Sequence, residues 1–440
     1  MSLRPAERAR ALARRHGGAV PLVVLALVLL LAFGLRIEAA LTPIPDPGTD
    51  SRTYAALAEG LYENGTYEGE GVPRPSDWSP GAPLVSAGAY LLTGGVNLRT
   101  ALLLVALVGT ATVLLVYLLA WRLMGRGIAG TVAGLLAALA AAVYPTFLDG
   151  TGRLLSEPLA GFLLAAAMLT FLSAAESGSR RRWALTGLCL GALALTRAEY
   201  LPFALVFALV TLTLVGRREG WRAGLVAAGL VIAGAVVIVA PWTIRNAVAL
   251  DRGVPVSTGG GKALFIGTYL PGEGQQVPTK EKLIALYGPA PTETLLDRVA
   301  DRYPELDRDR ALARIGRENL RRYATEQPGA YARMLLEKAG LVWYRGSSPA
   351  AAPAGWVWMH RFVLLLALAG LAALLLRRRF EVVLLGLPLV GITALGALLL
   401  AVPRRNVPLM PLVFALAGAG AVWLALAVRG RVRQNPPERV

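Results

Sequence analysis

Residues 20–35 read VPLVVLALVLLLAFGL, an apolar stretch without a charged residue that follows a strongly basic segment. Because roughly 20 helical residues are needed to cross the hydrocarbon core of a bilayer, this stretch predicts a first membrane span at residues 20–40. Short basic segments beside a span mark its cytoplasmic side, so the amino terminus is predicted to lie inside the cell. The basic residues of that segment are Arg4, Arg8, Arg10, Arg14 and Arg15.

The rest of the chain repeats this pattern of apolar runs and basic loops. Hydrophobic residues make up 55% of the 440 residues and the mean hydropathy is +0.54, which indicates a membrane protein and not a soluble one. We predict ten spans, at residues 20–40, 98–121, 128–147, 156–174, 183–196, 201–215, 223–242, 357–376, 381–401 and 407–428.

With ten spans, every short basic loop and both termini fall on the cytoplasmic side of the membrane. These segments carry Arg122 and Arg126, Arg180 to Arg182, Arg217 with Arg218 and Arg222, Arg377 to Arg379, and the tail from Arg429. The sequence therefore predicts an α-helical, multi-pass protein of the cell (inner) membrane.

The fifth and sixth spans share one apolar run that is interrupted by the charged pentapeptide TRAEY at residues 196–200. We favour a tight turn at the outer surface that connects two short helices. The alternative is a single kinked helix with a buried ion pair, which would change the number of spans by one.

The net charge of +17 raises the question of a nucleic-acid partner. Most of the excess arginine lies on the predicted cytoplasmic loops, where it serves topology and contact with anionic lipid headgroups. We therefore predict membrane lipids, and no nucleic acid, among the partners. The one cysteine, Cys189, lies in an apolar stretch and can form no disulfide within the chain.

Two predicted outer segments are too long to be simple turns. In residues 42–97 apolar residues recur at helical spacing between Ser51 and Tyr62, which predicts an amphipathic helix lying on the membrane surface. Residues 243–340 predict a small, mixed soluble subdomain with strand-like and turn-like pieces between Val254 and Leu270 and helical pieces from Arg310. The predicted organisation is a basic tail (1–19), a transmembrane core (20–242), the outer subdomain (243–340), the last spans (341–428) and a cytoplasmic tail (429–440).

Charged residues near the plane of the membrane are costly and functional by default. On the predicted outer face these residues are Asp50, Arg153, Glu157, Arg245 and Arg404. Simpler interpretations exist: Asp50 as a helix cap, Glu157 as a first-turn acid beside a proline, Arg153 as a partner of Glu157, and Arg245 as a snorkelling side chain. Topology does not explain outer arginines in such short turns, whereas an anionic ligand does.

This set of residues indicates a chemistry. Arginine suits phosphate because its planar fork donates paired hydrogen bonds, and a carboxylate beside such a cluster suits activation of a hydroxyl. We predict an outer site at membrane level where a lipid-linked phosphate is attacked by an alcohol. Arg153, Arg245 and Arg404 are the predicted donor-phosphate ligands, Asp50 is the predicted general base, and Glu157 is the second catalytic candidate.

Six stretches, in consistent order along most of the chain, resemble motifs of the GT-C class of membrane glycosyltransferases. The closest similarity is to family 39, which includes aminoarabinose transferases and protein O-mannosyltransferases. The stretches are DSRTY at 50–54, LLSEPL at 154–159, LTRAE at 195–199, APWTIRN at 240–246 followed by VPVST at 254–258, the segment from QPG at 327–329 to Trp343, and RRNVPL at 404–409, where Asn406 replaces the usual tyrosine.

The resemblance implies a GT-C fold with about ten transmembrane helices and an inverting hexosyl- or pentosyltransferase. The donor would be a polyprenyl-phosphate-linked sugar, the acceptor a glycan, lipid or protein hydroxyl, and Asp50 the base. Tyr54, Arg197 and Arg405 fall on the motifs and are candidates for supporting roles. Many relatives carry a second acid directly after the first, where this chain has Ser51, so the participation of a divalent cation (Mg²⁺ or Mn²⁺) stays open.

Two other classes of protein also stay open. A lipid-linked glycan ligase would share the fold and differ in donor size and acceptor. A transporter or lipid flippase would show internal repeats and ionisable groups in mid-membrane. This sequence shows no evident internal repeat, and the charged turn that begins at Thr196 is the one exception to the absence of charged residues in mid-span.

Overall fold

The computed structural model describes residues 19–344 and 353–434, with side chains as far as residue 429. The arginines of the amino-terminal tail and residues 435–440 of the carboxyl-terminal tail lie outside the described residues. The described part of the chain is helical and contains no strand. In chain order its first ten helices are α1 (Ala19–Leu41), α2 (Thr49–Glu63), α3 (Gly81–Thr93), α4 (Leu98–Met124), α5 (Ile128–Ala142), α6 (Pro145–Thr151), α7 (Ser156–Ser177), α8 (Arg180–Thr196), α9 (Leu201–Glu219) and α10 (Trp221–Leu250).

The remaining helices form the subdomain that was predicted to be outer, for which we keep the name outer subdomain, and the last spans. The subdomain contains α11 (Gly260–Thr268), α12 (Gln276–Tyr287), α13 (Thr292–Ala300), α14 (Arg308–Glu326) and α15 (Pro328–Trp343). They are followed by α16 (Ala354–Leu376), α17 (Glu381–Leu398), a 3₁₀ segment at Pro403–Leu409, and α18 (Met410–Gln434).

A helix occupies each of the ten predicted span positions, and the chain is a multi-pass membrane protein. By length and composition, eight helices within the described residues can cross a membrane, or nine if α5 and α6 are one span bent by 53°. The one remaining predicted span is the fifth, at 183–196; it corresponds to α8, which has 17 residues and begins with three arginines. The expected number of about ten is therefore close, and the difference lies in the short helix and the bent pair.

The charged pentapeptide at 196–200 forms a turn between two helices, as favoured from the sequence. Helix α8 ends at Thr196, one 3₁₀ turn covers Ala198–Tyr200, and α9 begins at Leu201. Near the end of α9, the Arg218 guanidinium donates to the carbonyl of Ala175, near the end of α7, at 3.4 Å. The ends of α9 and α7 therefore lie on the same side of the molecule. The alternative of one kinked helix is wrong, although its proposed buried ion pair is present.

The first outer loop contains the expected amphipathic helix, α2, but its apolar face does not lie on the membrane. Tyr54 and Ala58 are buried in a cluster with Tyr90 of α3 and Leu102 of α4. Helix α3, which was not expected, supplies the apolar surface that covers α2. The position of α2 is thus set by packing against protein, and this rigid packing fixes the loop that carries Asp50.

The outer subdomain is helical, so the strand expected between Val254 and Leu270 is wrong. Residues 254–259 are irregular, and α11 follows from Gly260. Side chains of α10 bind the backbone carbonyls of this irregular segment: the Trp242 indole donates to Val256 at 2.9 Å and the Asn246 amide to Val254 at 3.0 Å. These bonds satisfy the carbonyls that a neighbouring strand would otherwise bind. The helices expected near 310–326 and after Pro328 are present as α14 and α15.

Candidate functional site

A cavity of about 350 Å³ lies among α1, α4, the bent segment α6, the start of α7 and the turn before α18. Four of the five outer charged residues predicted as site residues line it: Asp50, Arg153, Glu157 and Arg404. They come from three segments that lie more than 100 residues apart in the sequence, and the fold brings all three to this cavity. The fifth, Arg245, is not among the lining residues.

Six charged side chains of alternating sign form a continuous network beside this cavity, which we call the ionic chain. Arg404 contacts the carboxylate of Asp50 and, through Nε, that of Glu157 at 3.3 Å. Arg197 binds Glu157 at 2.9 Å and Glu199 at 3.0 Å. The last link joins Arg405 to Glu199 at 2.7 Å. The ionic chain therefore ties the first outer loop, α7, the 196–200 turn and the 403–409 turn together.

Exposure changes along the ionic chain. The side chains of Arg404 and Asp50 are 39% and 28% exposed, whereas Glu157 is only 5% exposed. Arg197 is also nearly buried; burial by itself would lower the pKa of its guanidinium, but the carboxylates of Glu199 and Glu157 raise that pKa overall. The Asp50–Arg404 pair is thus the open end of the ionic chain, where the side chains are partly exposed. The side chains further along the ionic chain are nearly buried and hold the structure together.

The local backbone explains why Asp50 faces the cavity. Gly48 has φ +84°, a conformation that favours glycine, and it precedes α2. The carboxylate of Asp46 accepts a hydrogen bond from the Gly48 amide at 2.9 Å, and Arg153 donates to the carbonyl of Pro47 at 2.8 Å. Asp50 itself lies in the first turn and makes no capping hydrogen bond. Asp50 is therefore not the N-cap residue, which is Gly48, although its charge lies in the first turn, where an acidic residue suits the helix dipole.

Neighbouring residues of the first motif dock α2 onto the start of α7. The hydroxyl oxygen of Ser51, which occupies the place of the second acid found in many relatives, accepts a hydrogen bond from the Leu154 amide at 3.0 Å. Tyr54 is buried and packs edge-on against Trp78. Burial and the Glu157 carboxylate raise the pKa of the Tyr54 phenol, so it stays protonated. Both residues hold the loop in place.

Arg153 lines the cavity and also serves the backbone. Besides its bond to Pro47, its Nε lies 3.4 Å from the carboxylate of Asp149, one turn earlier on the bent segment. Its expected pairing with Glu157 is not the one observed. Arg153 therefore holds the 46–48 turn against α6 while presenting its side chain to the cavity.

Arg245 lies away from the cavity, so the expectation of one pocket shared by Arg153, Arg245 and Arg404 does not hold. Its guanidinium stacks over the rings of Trp242 at 5.2 Å and Tyr67 at 5.6 Å. The distinctive APWTIRN stretch to which it belongs binds the carbonyls of residues 254–256. In this structure that motif joins α10 to the entry of the outer subdomain.

One cavity residue was missed from the sequence. Arg36 lies within α1, five residues before its end at Leu41, and it lines the cavity although it is fully buried. The signal was present, because a charged residue inside a membrane span is expensive and marks a function, and this span carries Arg36 and, two residues later, Glu38. It also corrects the statement that charge in mid-span is confined to the turn at Thr196.

The side chains that line the cavity do not fit a divalent cation well. Within the described residues there is no group of three or more histidine, cysteine, aspartate or glutamate side chains that could hold a metal ion. The two cavity carboxylates, Asp50 and Glu157, both contact Arg404, which competes with a cation for the same oxygens. We derive no step through a metal at this site.

Comparison with known proteins identifies a related family and a related fold. Residues 75–244, less than half of the chain, match the family of dolichyl-phosphate-mannose-protein mannosyltransferases. Glu157 and Arg197 lie inside the matched region, and Asp50 and Arg404 lie outside it. No curated protein is significantly similar to the chain in sequence.

Three solved structures are similar to the chain. The archaeal oligosaccharyltransferase AglB from Archaeoglobus fulgidus, in complex with an inhibitory peptide and a dolichol-phosphate, has a TM-score of 0.56 and 16% identity, covering 97% of this chain and 53% of that one. The apo oligosaccharyltransferase from Archaeoglobus fulgidus has a TM-score of 0.55 and 17% identity, covering 96% and 52%. ArnT from Cupriavidus metallidurans bound to undecaprenyl phosphate has a TM-score of 0.43 and 17% identity, covering 97% and 81%. The chain thus spans about half the length of the oligosaccharyltransferase, whose membrane fold it shares.

Proposed function

We propose that this chain, which has the GT-C fold and the mannosyltransferase-family pattern over residues 75–244, is a glycosyltransferase with a lipid-linked donor. The donor is a polyprenyl-phosphate-linked sugar, and the acceptor is a hydroxyl of a glycan, a lipid or a protein. Asp50 is the general base, and the reaction takes place at the outer face of the cell (inner) membrane. Support for the donor class comes from the archaeal oligosaccharyltransferase of the same fold, which was solved with a dolichol-phosphate.

The observation that carries this proposal is the Asp50–Arg404 pair at the open end of the ionic chain. Both side chains line the cavity and are partly exposed, while Glu157 behind them is buried. A carboxylate and a guanidinium in contact can serve the two halves of a displacement reaction. The carboxylate accepts a proton, and the guanidinium binds the departing phosphate.

The chemical step is a single displacement with inversion. Asp50 accepts the proton of the acceptor hydroxyl as its oxygen attacks the anomeric carbon of the sugar. The bond from that carbon to the phosphate oxygen breaks, and its electron pair stays on the polyprenyl phosphate. Arg404 stabilises this developing charge, and Arg153 supports it from the neighbouring wall. An incoming phosphate competes with Asp50 for Arg404, so donor binding also releases the carboxylate that acts as base.

The size of the cavity favours transfer of one sugar over transfer of a whole glycan. Its volume of about 350 Å³ is near the lower end of the roughly 300–1,000 Å³ that small-molecule pockets have. A single sugar with its phosphate suits such a volume better than a branched oligosaccharide does. This argues for a monosaccharide transferase and against a lipid-linked glycan ligase.

The decisive test replaces Asp50 by asparagine, which keeps the shape of the side chain but cannot act as the base. We expect Asp50→Asn to fold normally and to bind the donor, and its turnover to fall by about 10²- to 10⁴-fold. Transfer is measured with purified protein in lipid nanodiscs and a radiolabelled polyprenyl-phosphate sugar. Glu59→Gln is the matched control, because Glu59 lies on the same helix with its side chain exposed. Near-normal turnover of Asp50→Asn would contradict the assignment.

A further inference from the structure

We infer that Arg36 is the phosphate ligand at the membrane end of the cavity and binds the phosphate group of the polyprenyl carrier. This inference rests on the proposed function and adds a residue that no sequence motif indicates. It starts from a feature that the fold itself leaves unexplained, a fully buried arginine inside the first span.

The surroundings of Arg36 hold its guanidinium without neutralising it. Its Nη1 donates to the carbonyls of Ala32 at 3.1 Å and Ala142 at 3.2 Å, and its Nη2 donates to that of Ala141 at 3.2 Å. In the part of the chain that the structure describes, no carboxylate forms an ion pair with it. Its Nε is buried and has no hydrogen-bond partner. The cation is therefore held in a fixed orientation with donor capacity left over.

A buried charge without a counter-ion is unfavourable unless something compensates it. Ala141 and Ala142 are the last residues of α5, and carbonyls at the end of a helix offer a partial negative charge. That partial charge explains how the guanidinium is tolerated, but it is smaller than a full negative charge. The other cavity arginines differ, because Arg404 contacts Asp50 and Glu157, and Arg153 lies beside Asp149.

The Arg36 side chain packs closely against a glycine of α4. Gly109 of α4 lines the cavity with Arg36, and a Cβ added there would lie 2.7 Å from the Arg36 Nε. Thr112, one turn further along α4, lines the same cavity, but its hydroxyl donates to the carbonyl of Val108 at 2.8 Å. Among the described residues, Arg36 is left with an Nε that has no hydrogen-bond partner and with no ion pair, which suits an oxyanion.

The depth of Arg36 favours a phosphate that is carried by a lipid. Five residues of helix separate it from the end of α1 at Leu41, which corresponds to about 7.5 Å along the helix axis. A lipid phosphate can be drawn to this depth because its chain enters the hydrocarbon. Free inorganic phosphate has the same chemistry and no such anchor, so the two sources can be separated by experiment.

The test measures binding of a sugar-free polyprenyl phosphate to the full chain in nanodiscs by thermal stabilisation and direct titration. We expect Arg36→Met to weaken binding by about 10- to 100-fold, which is the loss of a charged hydrogen bond. Gly109→Ala keeps the charge and obstructs Nε, so it should weaken binding as well. Gly34→Ala is the matched control on α1, since a Cβ there meets nothing within 4 Å.

A purely structural arginine would behave differently. If Arg36 only caps α5, Arg36→Met should melt at a lower temperature without ligand and keep its affinity for polyprenyl phosphate, which would overturn the inference. We expect the opposite result: an unliganded melting temperature equal to or above that of the wild type, and lost affinity. Stabilisation by inorganic phosphate that equals that by the lipid form would overturn the lipid assignment.

The assay also separates this inference from the proposed function. It contains no sugar and no acceptor, so Asp50→Asn should bind polyprenyl phosphate at least as tightly as the wild type does, because the variant no longer competes with the phosphate for Arg404. If Asp50→Asn retains turnover while Arg36→Met loses binding, the role of Asp50 fails and the phosphate site stands. If Asp50→Asn loses turnover and Arg36→Met binds normally, the phosphate site fails and the transferase proposal stands.

Discussion

Glu157 and Asp50 carry the same charge and contact the same arginine, yet their surroundings assign them different roles. Asp50 is partly exposed and has Arg404 as its partner in the ionic chain. Glu157 is nearly buried and lies between Arg404 and Arg197. An exposed carboxylate can accept a proton from a substrate, whereas a buried one between two cations is held ionised by them. Burial therefore supports the proposal that Asp50 is the base and that Glu157 positions the two arginines.

Because of this difference in burial, replacing Glu157 should destabilise the protein more than replacing Asp50 does. Glu157→Gln removes a buried charge and leaves Arg197 and Arg404 facing each other without it, so we expect a loss of about 3–5 kcal/mol of stability. Asp50→Asn should cost far less, because an exposed ion pair contributes at most about 1 kcal/mol. Thermal unfolding in nanodiscs compares the two variants. A stable Glu157→Gln protein that has lost turnover would instead place Glu157 in the chemical step.

Close contacts between helices depend on small residues where two helices pack together, as α8 and α10 do. Helices α8 and α10 approach so closely at Gly187 that an added Cβ would overlap the carbonyl oxygen of Val231, and Gly234 meets Ala184 in the same way. Small residues allow such approach in membranes, where van der Waals packing replaces the hydrophobic effect between helices. This packing fixes α8, and therefore the turn that presents Arg197 to Glu157.

We expect Gly187→Ala to separate α8 from α10 and to destabilise the protein by about 1–3 kcal/mol, as overpacking does. Turnover should fall with it, because the 196–200 turn moves relative to α7. Gly229→Ala on α10 is the matched control, since a Cβ there meets nothing within 4 Å. Equal melting temperatures for the two variants would show that the interface tolerates a methyl group and that this account of α8 is wrong.

At the scale of the whole molecule, the ionic chain and the outer subdomain lie at one end of the helices. The loops that join α7 to α8 and α9 to α10 lie at the other end and meet each other, since Arg218 binds the carbonyl of Ala175. The alternation of arginine predicts that this second end lies in the cytoplasm. The cavity would then face outward, where a lipid-linked sugar and an external acceptor can both reach it.

This orientation predicts a labelling pattern. In a Cys189→Ala background, a cysteine at Glu305 of the outer subdomain should react in intact cells with a membrane-impermeant maleimide. A cysteine at Glu219, at the end of α9, should react only after the cells are permeabilised. Both positions are exposed in the fold, so accessibility to the reagent depends on the side of the membrane. The reverse pattern would contradict the outer location of the site.

The sequence is sufficient to identify a multi-pass α-helical membrane protein and the positions of the helices at its predicted spans, and it predicts a chemical type for the site. Apolar runs of span length and the alternation of arginine are local signals, and a span depends on little beyond its own composition. The motif residues Asp50, Glu157 and Arg404 were found for the same reason, because each stands out against its immediate surroundings.

The tertiary structure is needed to see which charged side chains contact each other and which of them remain accessible to a ligand. Arg245 resembles Arg404 in sequence context, but its guanidinium stacks on Trp242 and Tyr67, away from the cavity. Arg36 carries no motif, and the end of α5 and Gly109 define its environment. Burial and pairing arise from residues far apart in the chain, so the energy of each charge depends on the packed fold and not on its neighbours in sequence.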